Sequence, residues 1–289
     1  MTGPRTRFYT ILTVVAGVLV LAAVIHAMDY NTAFEISRMM RSGKPGQGNA
    51  DNANNGGYPD HPDHPDHAAQ TVNYQPNQQK TWYQIAAAAG TDKVTTHEYQ
   101  YMYEKYLPPM RNRHVKMLEI GLGCNMNYGP GKSYNTWLEY FPDVDLYFIE
   151  YDAKCAEKWA HKTQNAHVFT GDQADAAFLE DFISKAGMDF DLIIDDGGHT
   201  MDQQITSLKH LWKAVKPGGY YILEDLQTSY LEAYHGDPSA HDPTIETATK
   251  FIYELIDDRM TGKNKHEISS DMRSIDCMRE VCGFTKKVA

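Results

Sequence analysis

Acidic side chains occur in pairs at two points of the sequence where an apolar run ends. Asp195 and Asp196 follow the run FDLII, and Glu224 and Asp225 follow YYIL. If both runs are neighbouring parallel strands, about 4.8 Å apart, the four carboxylates can converge on one hard cation. Oxygen ligands of this kind suit Mg²⁺, and four uncompensated carboxylates would repel one another.

A histidine lies close to the first acidic pair. His199 follows Asp196 by three residues across two glycines, and its ordinary pKa near ~6.5 suits a general base. A metal ion that held two vicinal hydroxyls would lower the pKa of the reacting one. The alternative is a capped turn, in which Thr200 or Asp202 caps a helix and His199 is merely exposed. The segment alone fits both interpretations equally, and the second acidic pair favours the metal.

Further acids stand at the ends of three earlier apolar runs. Glu119 precedes Gly121, in a glycine-rich turn that lets the backbone approach a ligand. Glu150 ends the next run, where an acid can accept hydrogen bonds from ribose hydroxyls. Asp172 and Gln173 end the third run, in position to meet an adenine edge. Each alone could be a cap or turn residue, but three acids on one rim favour a nucleoside-type ligand. The predicted cofactor-binding set is Glu119, Gly121, Gly123, Glu150, Asp172, Gln173 and Asp195.

The elements that must position these residues alternate between strand-like and helical patterns. The predicted strands are 115–123, 145–152, 167–172, 190–197 and 218–226, and the predicted helices between them are 133–141, 154–162, 175–186 and 202–214. Such alternation predicts an α/β fold, with a doubly wound, Rossmann-like parallel sheet covered on both faces. The KPGG stretch, 216–219, is expected to form the turn into the last of these strands.

The chain is expected to close with one more helix and a hairpin. The helix is predicted over 244–258, and the hairpin turns around Arg279 and Glu280. Cys277 and Cys282 could face each other there, either as a disulfide or as two buried thiols. The chain's four cysteines are too few and too scattered to predict a disulfide scaffold.

The amino-terminal part of the chain has a different composition. Tyr9–Ala27 contains no charged residue, and as a helix it would nearly span a ~30 Å hydrocarbon core. The run is long for a signal peptide and no A-x-A site closes it, which favours an uncleaved transmembrane anchor. Residues 1–8 then form a short tail. Residues 28–80 form a polar low-complexity linker that cannot bury enough surface to fold, and a folded domain occupies 81–289.

Charge limits the partners of the protein. The net charge is −11, and the absence of a basic stripe from the sequence argues against nucleic acid as a partner. Positive residues flank the apolar run on both sides in similar number, so charge does not set its orientation in a membrane. The sequence is compatible with a homo-oligomer and contains no motif that requires one.

The ordered motifs resemble those of class I S-adenosylmethionine-dependent methyltransferases, most closely the macrocin-type sugar O-methyltransferases of macrolide biosynthesis. The shared motifs are GTDKVTTHEYQYMYEKYL (90–107), LEIGLG, GPGKS (129–133), GDQAD, IIDDGGH and YILEDLQTSY. The resemblance extends from about residue 85 to the carboxyl end. The chain departs from the family at Cys124, in the NMNYGPGKS stretch after it, and in the membrane anchor.

The resemblance implies a bound S-adenosylmethionine and a Mg²⁺ ion. It assigns the metal to Asp196, Glu224 and Asp225, and the general base to His199. It also implies that the segment containing Asp92 and His97 helps to close the site. The alternative for this segment is an amphipathic helix that packs Tyr99, Tyr103 and Tyr106 against the sheet, and we expect these tyrosines to pack. Residues 227–245 are expected to form a lid. The expected reaction is O-methylation of a small-molecule acceptor at a hydroxyl of a sugar or small natural product, as in secondary metabolism.

Two other functions fit the same sequence. One is a methyltransferase-like membrane protein without catalysis that serves as a binding module, and the other is a metal-independent methyltransferase that acts on a peptide or an amine. We expect a single-pass protein of an endomembrane or the plasma membrane. Because S-adenosylmethionine is made in the cytosol, cofactor supply favours a cytosolic catalytic domain.

Overall fold

The computed structural model of the protein describes residues 79–288. The predicted tail and anchor, and the predicted linker up to residue 78, lie outside the described residues. Across 79–288, every helix is too short or too polar to cross a membrane.

A seven-stranded mixed sheet forms the centre of the described domain. Its strands are β1 (Val115–Ile120), β2 (Val144–Glu150), β3 (His167–Thr170), β4 (Phe190–Asp195), β5 (Val215–Leu223), β6 (Met272–Met278) and β7 (Val281–Lys286). They lie in the order β3-β2-β1-β4-β5-β7-β6. The first five strands are mutually parallel, and β7 is antiparallel to both β5 and β6. The predicted Rossmann-like sheet and its closing hairpin are confirmed.

Eight α-helices in the described part surround this sheet. They are α1 (Trp82–Ala89), α2 (Asp92–Thr95), α3 (Gln100–Tyr106), α4 (Lys132–Tyr140), α5 (Ala153–Trp159), α6 (Ala176–Ala186), α7 (Met201–Leu211) and α8 (Ala248–Thr261). One apolar core joins Phe182, Leu208 and Leu255 from α6, α7 and α8. A separate core joins Trp82 and Trp137 from α1 and α4. The sheet therefore lies between two apolar layers, as its uninterrupted apolar strands require.

The strands end almost level at one edge of the sheet. Ile120 pairs with Ile149 on one side and with Asp195 on the other, and Asp195 pairs with Leu223. Residues that follow β1, β2, β4 and β5 are thereby gathered at a single carboxyl edge. In α/β sheets this edge is the usual place for a ligand.

The KPGG stretch is part of a strand and not a turn. β5 begins at Val215, and its pairing with β4 shifts between Phe190–Val215 and Leu192–Tyr220. A Cβ atom on Gly219 would lie 3.0 Å from the carbonyl oxygen of Asp191, so the glycine is needed for close approach of the two backbones. The sequence prediction of a turn was wrong because a glycine in a bulge produces the same pattern.

Candidate active site

A cavity of about 400 Å³ opens at the carboxyl edge, between the ends of β1, β2 and β4. Its volume is within the range of small-molecule sites. Gly121 and Gly123 form part of its wall. Gly121 has φ +94°, and a Cβ atom there would lie 2.1 Å from the carbonyl oxygen of Asp196. The glycines therefore bring two loops together and leave backbone, not side chains, facing the cavity.

Glu150 lies at the wall of this cavity and is almost completely buried. Its Oε2 atom accepts a hydrogen bond from Leu122 N at 3.0 Å, and its Oε1 atom accepts one from Asp152 N at 2.8 Å. A carboxylate has about four lone-pair sites. Two acceptor positions therefore remain for hydroxyl groups of a ligand in the cavity.

Gln173 lines the same cavity, whereas Asp195 lies behind it. Gln173 Nε2 donates to Asp195 Oδ1 at 2.9 Å, and Gln173 Oε1 accepts from Gly198 N at 2.9 Å. Asp195 also accepts hydrogen bonds from Ser207 Oγ and from Tyr221 OH. Burial raises the pKa of Asp195, and the hydrogen bonds from these neutral donors oppose that effect. Asp195 thus anchors Gln173 and the loop after β4, and it does not itself line the cavity.

Two further predicted cofactor residues also lie outside the cavity wall. Asp172 accepts a hydrogen bond from Ala174 N at 2.9 Å, as a turn residue does. Glu119 is completely buried, and its Oε2 atom accepts from Ser133 Oγ at 2.8 Å and from Trp137 Nε1 at 2.9 Å. Burial raises the pKa of Glu119 to about 7. The predicted residues that do line the cavity are Gly121, Gly123, Glu150 and Gln173.

Beside the cavity, Asp196, His199 and Asp225 each present one ligand atom, and these atoms lie within 4.8 Å of one another. His199 Nε2 is 3.3 Å from Asp225 Oδ2 and 4.0 Å from Asp196 Oδ1. Within the described residues, His199 Nδ1 is buried and has no hydrogen-bond partner. The geometry therefore groups a histidine with one carboxylate from each of the two acidic pairs.

Backbone strain occurs at two of these three residues. His199 has φ +60° and Asp225 has φ +56°, in the left-handed region that costs a non-glycine residue about 1–3 kcal/mol. Gly197 and Gly198 lead into His199 and let the chain reverse there. Asp225 adopts the same conformation two residues after the end of β5, where the chain leaves the sheet.

Glu224 takes a different position from the one predicted for a metal ligand. It is completely buried and accepts hydrogen bonds from Lys93 Nζ and Tyr103 OH. It is not a member of the group formed by Asp196, His199 and Asp225. Burial raises the pKa of Glu224, and the charge of Lys93 opposes that effect only in part. Of the two adjacent acids, only Asp225 belongs to the cluster with Asp196 and His199. The left-handed backbone at Asp225 turns its side chain away from that of Glu224.

Lys93 connects the helices before the sheet to the carboxyl edge. Its buried ammonium lies 2.6 Å from Asp196 Oδ2 and 3.4 Å from Glu119 Oε1, and it also contacts Glu224. Burial lowers the pKa of Lys93, but the surrounding carboxylates outweigh it and raise that pKa well above its ordinary value. Sequence reasoning assigned no role to Lys93. The GTDK motif was its only signal, and Asp196 lies 103 residues further along the chain.

The tyrosines after Lys93 do more than pack. Their rings are buried as expected for Tyr99 and Tyr103, but their hydroxyl groups reach carboxylates. Tyr99 OH donates to Asp225 Oδ1 at 2.9 Å, Tyr103 OH donates to Glu224, and Tyr106 OH donates to Asp276 at 2.8 Å. The predicted packing is confirmed for these residues, and the hydrogen bonds of their hydroxyl groups are a further feature that the sequence did not indicate.

His97 is also brought to the site. Its Nδ1 atom lies 2.9 Å from Glu280 Oε2, and its Nε2 atom lies 3.5 Å from Asp225 Oδ1. Burial works to raise the pKa of Asp225, but the charges of His199 and His97 and the hydrogen bond from Gln227 outweigh it and lower that pKa. Asp225 is thus the carboxylate of the cluster that is held most firmly in its ionised form.

All four cysteines lie in disulfide bonds. Cys124 pairs with Cys155, and Cys277 pairs with Cys282 across the β6–β7 hairpin. The second pairing is one of the two alternatives that the sequence left open. The first joins the loop after β1 to the start of α5, and the sequence did not suggest it.

Comparison with known sequences finds sugar O-methyltransferases. No protein-family model matches the chain. The chain is 34% identical over 174 residues to 8-demethyl-8-alpha-L-rhamnosyl tetracenomycin-C 2'-O-methyltransferase of Streptomyces olivaceus. This alignment covers 60% of this chain and 44% of that protein. It is 32% identical over 157 residues to demethylmacrocin O-methyltransferase of Streptomyces fradiae, and this alignment covers 54% of this chain and 38% of that protein. The chain thus spans less than half the length of these relatives.

Comparison with solved structures also finds a methyltransferase of this kind. The structure of MycE methyltransferase from the mycinamycin biosynthetic pathway, in complex with Mg, SAH and mycinamycin VI, matches with a TM-score of 0.63 and 26% identity. The match covers 73% of this chain and 56% of that chain. The resemblance to the macrocin-type O-methyltransferases is therefore confirmed.

Proposed function

We propose that this protein is an S-adenosylmethionine- and Mg²⁺-dependent O-methyltransferase that acts on a hydroxyl of a sugar or sugar-bearing natural product. The observation that carries the proposal is the grouping of Asp196, Asp225 and His199 beside a cavity at the carboxyl edge of the sheet. Two relatives are named for methylation of a rhamnosyl group at its 2' or 3' position, which supports a sugar acceptor.

The cavity fits S-adenosylmethionine in size and in the chemistry of its wall. Gly121 and Gly123 leave room for close approach to backbone, and Glu150 has acceptor positions free for two ribose hydroxyls. Asn125 and Gln203 add polar side chains to the same wall. We assign Gly121, Gly123, Glu150 and Gln173 to this cofactor.

The neighbouring cluster fits Mg²⁺, because Asp196 and Asp225 offer the oxygen ligands that this ion prefers. Glu224, also predicted as a ligand, would have to exchange its contact with Lys93 for the ion. When bound, S-adenosylmethionine supplies the methyl group and Mg²⁺ supplies positive charge that lowers the pKa of the acceptor hydroxyl.

In this proposal His199 accepts the proton of the acceptor hydroxyl. Its Nε2 atom faces both carboxylates of the cluster, so the proton is taken up where negative charge stabilises the protonated ring. Asp225 accepts a hydrogen bond from Nε2 once the ring is protonated, and Asp225 is itself held by Tyr99 and Gln227. Lys93 lies on α2, and Tyr99 directly precedes α3. The segment before the sheet therefore helps to fix the orientation of the reacting groups.

The test is methyl transfer from labelled S-adenosylmethionine to methyl glycosides, beginning with methyl α-L-rhamnopyranoside, with and without EDTA. We expect EDTA and Asp196→Ala to abolish transfer, and His199→Ala to lower kcat by about 10²–10⁴-fold. Matched controls are Asp202→Ala and His210→Ala, both on α7 and outside the cluster, which should keep wild-type rates. Full activity in EDTA and in Asp196→Ala would remove the metal mechanism. Failure of the wild type to bind S-adenosylhomocysteine in calorimetry would favour the binding-module function instead.

We further propose that Tyr9–Ala27 anchors the protein in a membrane. The support is the uncharged apolar run with Arg5 and Arg7 before it. Extraction of native membranes with alkaline carbonate is the direct test, and we expect the protein to stay in the pellet. Release of full-length protein into the supernatant would contradict an integral anchor.

A further inference from the structure

The Cys124–Cys155 disulfide joins the two loops that form the mouth of the cofactor cavity. Cys124 belongs to the loop after β1 and lines the cavity. Cys155 lies in the first turn of α5, just after the loop that follows β2. Their Cα atoms are 6.0 Å apart, a usual separation for a disulfide. The bridge therefore ties a loop that forms part of the cavity wall to the start of α5, just behind that wall.

The same two loops are already connected by hydrogen bonds through Glu150. Leu122 N, on the first loop, donates to Glu150 Oε2, and Asp152 N, on the second, donates to Glu150 Oε1. Asp152 in turn caps α5 by accepting from Cys155 N at 3.0 Å. The two loops are thus held together in two ways: covalently by the Cys124–Cys155 disulfide, and by hydrogen bonds to the Glu150 carboxylate, which we assign to the ribose. We call this pair of connections the clamp.

The first loop needs such a clamp because of its composition. Gly121, Gly123, Gly129 and Gly131 all have positive φ values, from +74° to +114°. A chain segment this rich in glycine loses more conformational entropy on ordering than other segments do. Ordering the loop when the ligand binds would lower affinity, and a bridge that orders it beforehand removes that cost.

We propose that the Cys124–Cys155 disulfide preorganises the cofactor site, so that the oxidation state of this cysteine pair sets the affinity for S-adenosylmethionine. The inference rests on the proposed cofactor. It also indicates the compartment, because disulfides persist outside the reducing cytosol. Together with the proposed anchor, it places the catalytic domain on the oxidising side of the membrane, the opposite side from the one that cofactor supply favours. The acceptor would then be a sugar in the secretory pathway or outside the cell.

The chemistry is ordinary thiol–disulfide exchange. A dithiol reductant such as dithiothreitol transfers two electrons and two protons to the pair. The S–S bond breaks, Cys124 and Cys155 become thiols, and the reductant becomes its own cyclic disulfide. Oxidised glutathione reverses the exchange in two steps and leaves two molecules of the reduced tripeptide.

The first test measures binding of S-adenosylhomocysteine to full-length protein in detergent by calorimetry, well below the melting temperature. We expect Cys155→Ser to raise Kd about tenfold, and dithiothreitol to do the same to the wild type. Cys155 does not line the cavity, so this variant removes the bridge without changing the wall. Dithiothreitol should have no further effect on Cys155→Ser.

The matched control is the double variant Cys277→Ser/Cys282→Ser, which removes the other disulfide at the β6–β7 hairpin. It should bind S-adenosylhomocysteine as the wild type does and should still respond to dithiothreitol. A lower melting temperature of Cys155→Ser with unchanged Kd would show a purely structural bridge and overturn the proposal. No binding to the oxidised wild type would refute the proposed cofactor itself, and the proposed role of the bridge in its affinity would fall with it; this outcome is distinct from binding with an unchanged Kd in Cys155→Ser.

The second test asks whether the bridge exists in the cell. Thiols in intact cells are blocked with one alkylating reagent, the protein is reduced, and the released thiols are labelled with a heavier reagent before mass spectrometry. We expect Cys124 and Cys155 to carry the heavier label. If both carry the first label, the pair is reduced in the cell and the oxidising location is wrong.

Discussion

Two aspartates of the same strand, Asp191 and Asp195, are both buried, yet burial has opposite outcomes at the two ends of β4. At the amino edge of the sheet, Asp191 accepts hydrogen bonds from Arg113, Lys216 and the backbone of Lys116. Burial works to raise the pKa of Asp191, but these donors outweigh it and lower that pKa. At the carboxyl edge the pKa of Asp195 is raised, because its donors are neutral and do not outweigh burial.

The difference between the edges is one of charge balance. Two cations serve a single carboxylate at the amino edge, whereas Glu119, Asp196 and Glu224 share the ammonium of Lys93 at the carboxyl edge. Asp225 adds a further negative charge beside them. At the amino edge, the charge of Asp191 is fully compensated by Arg113 and Lys216. The second edge has carboxylates in excess, so it has the electrostatics of a site that binds a cation.

Removal of Lys93 should produce the largest change, because it leaves carboxylates buried without a counter-charge. We expect Lys93→Met to lower the free energy of unfolding by about 3–5 kcal/mol, measured by urea denaturation in EDTA. Arg113→Met at the amino edge should cost about 1 kcal/mol or less, since Arg113 is 43% exposed and Lys216 still serves Asp191. The double variant Lys93→Met/Glu224→Gln should recover part of the loss. If Lys93→Met and Arg113→Met lowered the free energy of unfolding equally, the two edges would not differ in charge balance.

An intermediate loss of stability is expected when Asp195 loses one of the neutral groups that donate hydrogen bonds to it. Tyr221→Phe removes a hydroxyl that donates to Asp195 Oδ2 at 2.9 Å and should destabilise the protein by about 1–3 kcal/mol. Tyr220→Phe on the same strand is the matched control and should stay within about 0.5 kcal/mol of the wild type. Both are compared by thermal and urea unfolding. If the two variants unfold alike, the hydrogen bonds around Asp195 do not compensate its burial.

Much of the carboxyl edge could be predicted from the sequence, and the reason is geometric. Apolar runs that end in acids gave β1, β2, β4 and β5, and parallel strands must bring those ends to one edge. The grouping of Asp196 with His199 followed from their spacing across two glycines. These predictions depend on local sequence and on one general rule of topology.

The remaining parts of the site depend on contacts between distant residues. Lys93 meets Glu224 from 131 positions away, and no local pattern indicates which carboxylates it will reach. Glu224 and Asp225 are adjacent in sequence, but the left-handed backbone at Asp225 separates their side chains. The Cys124–Cys155 pairing could not be predicted either, since four cysteines allow three connectivities.

The smallest effect is a dependence of stability on pH at the amino edge. The pKa of Asp191 is lower in the folded protein than its ordinary value, so its ion pairs stabilise the fold above about pH 4 and lose that effect as pH falls through the folded value. At pH 6, Asp191→Asn should lower the free energy of unfolding by about 1 kcal/mol, a value limited by the exposure of Arg113. The difference from the wild type should shrink as pH falls from 6 to 3.5 in urea titrations. A difference that stays constant over this range would mean that Asp191 gains nothing from ionisation and that the two edges do not differ in charge balance.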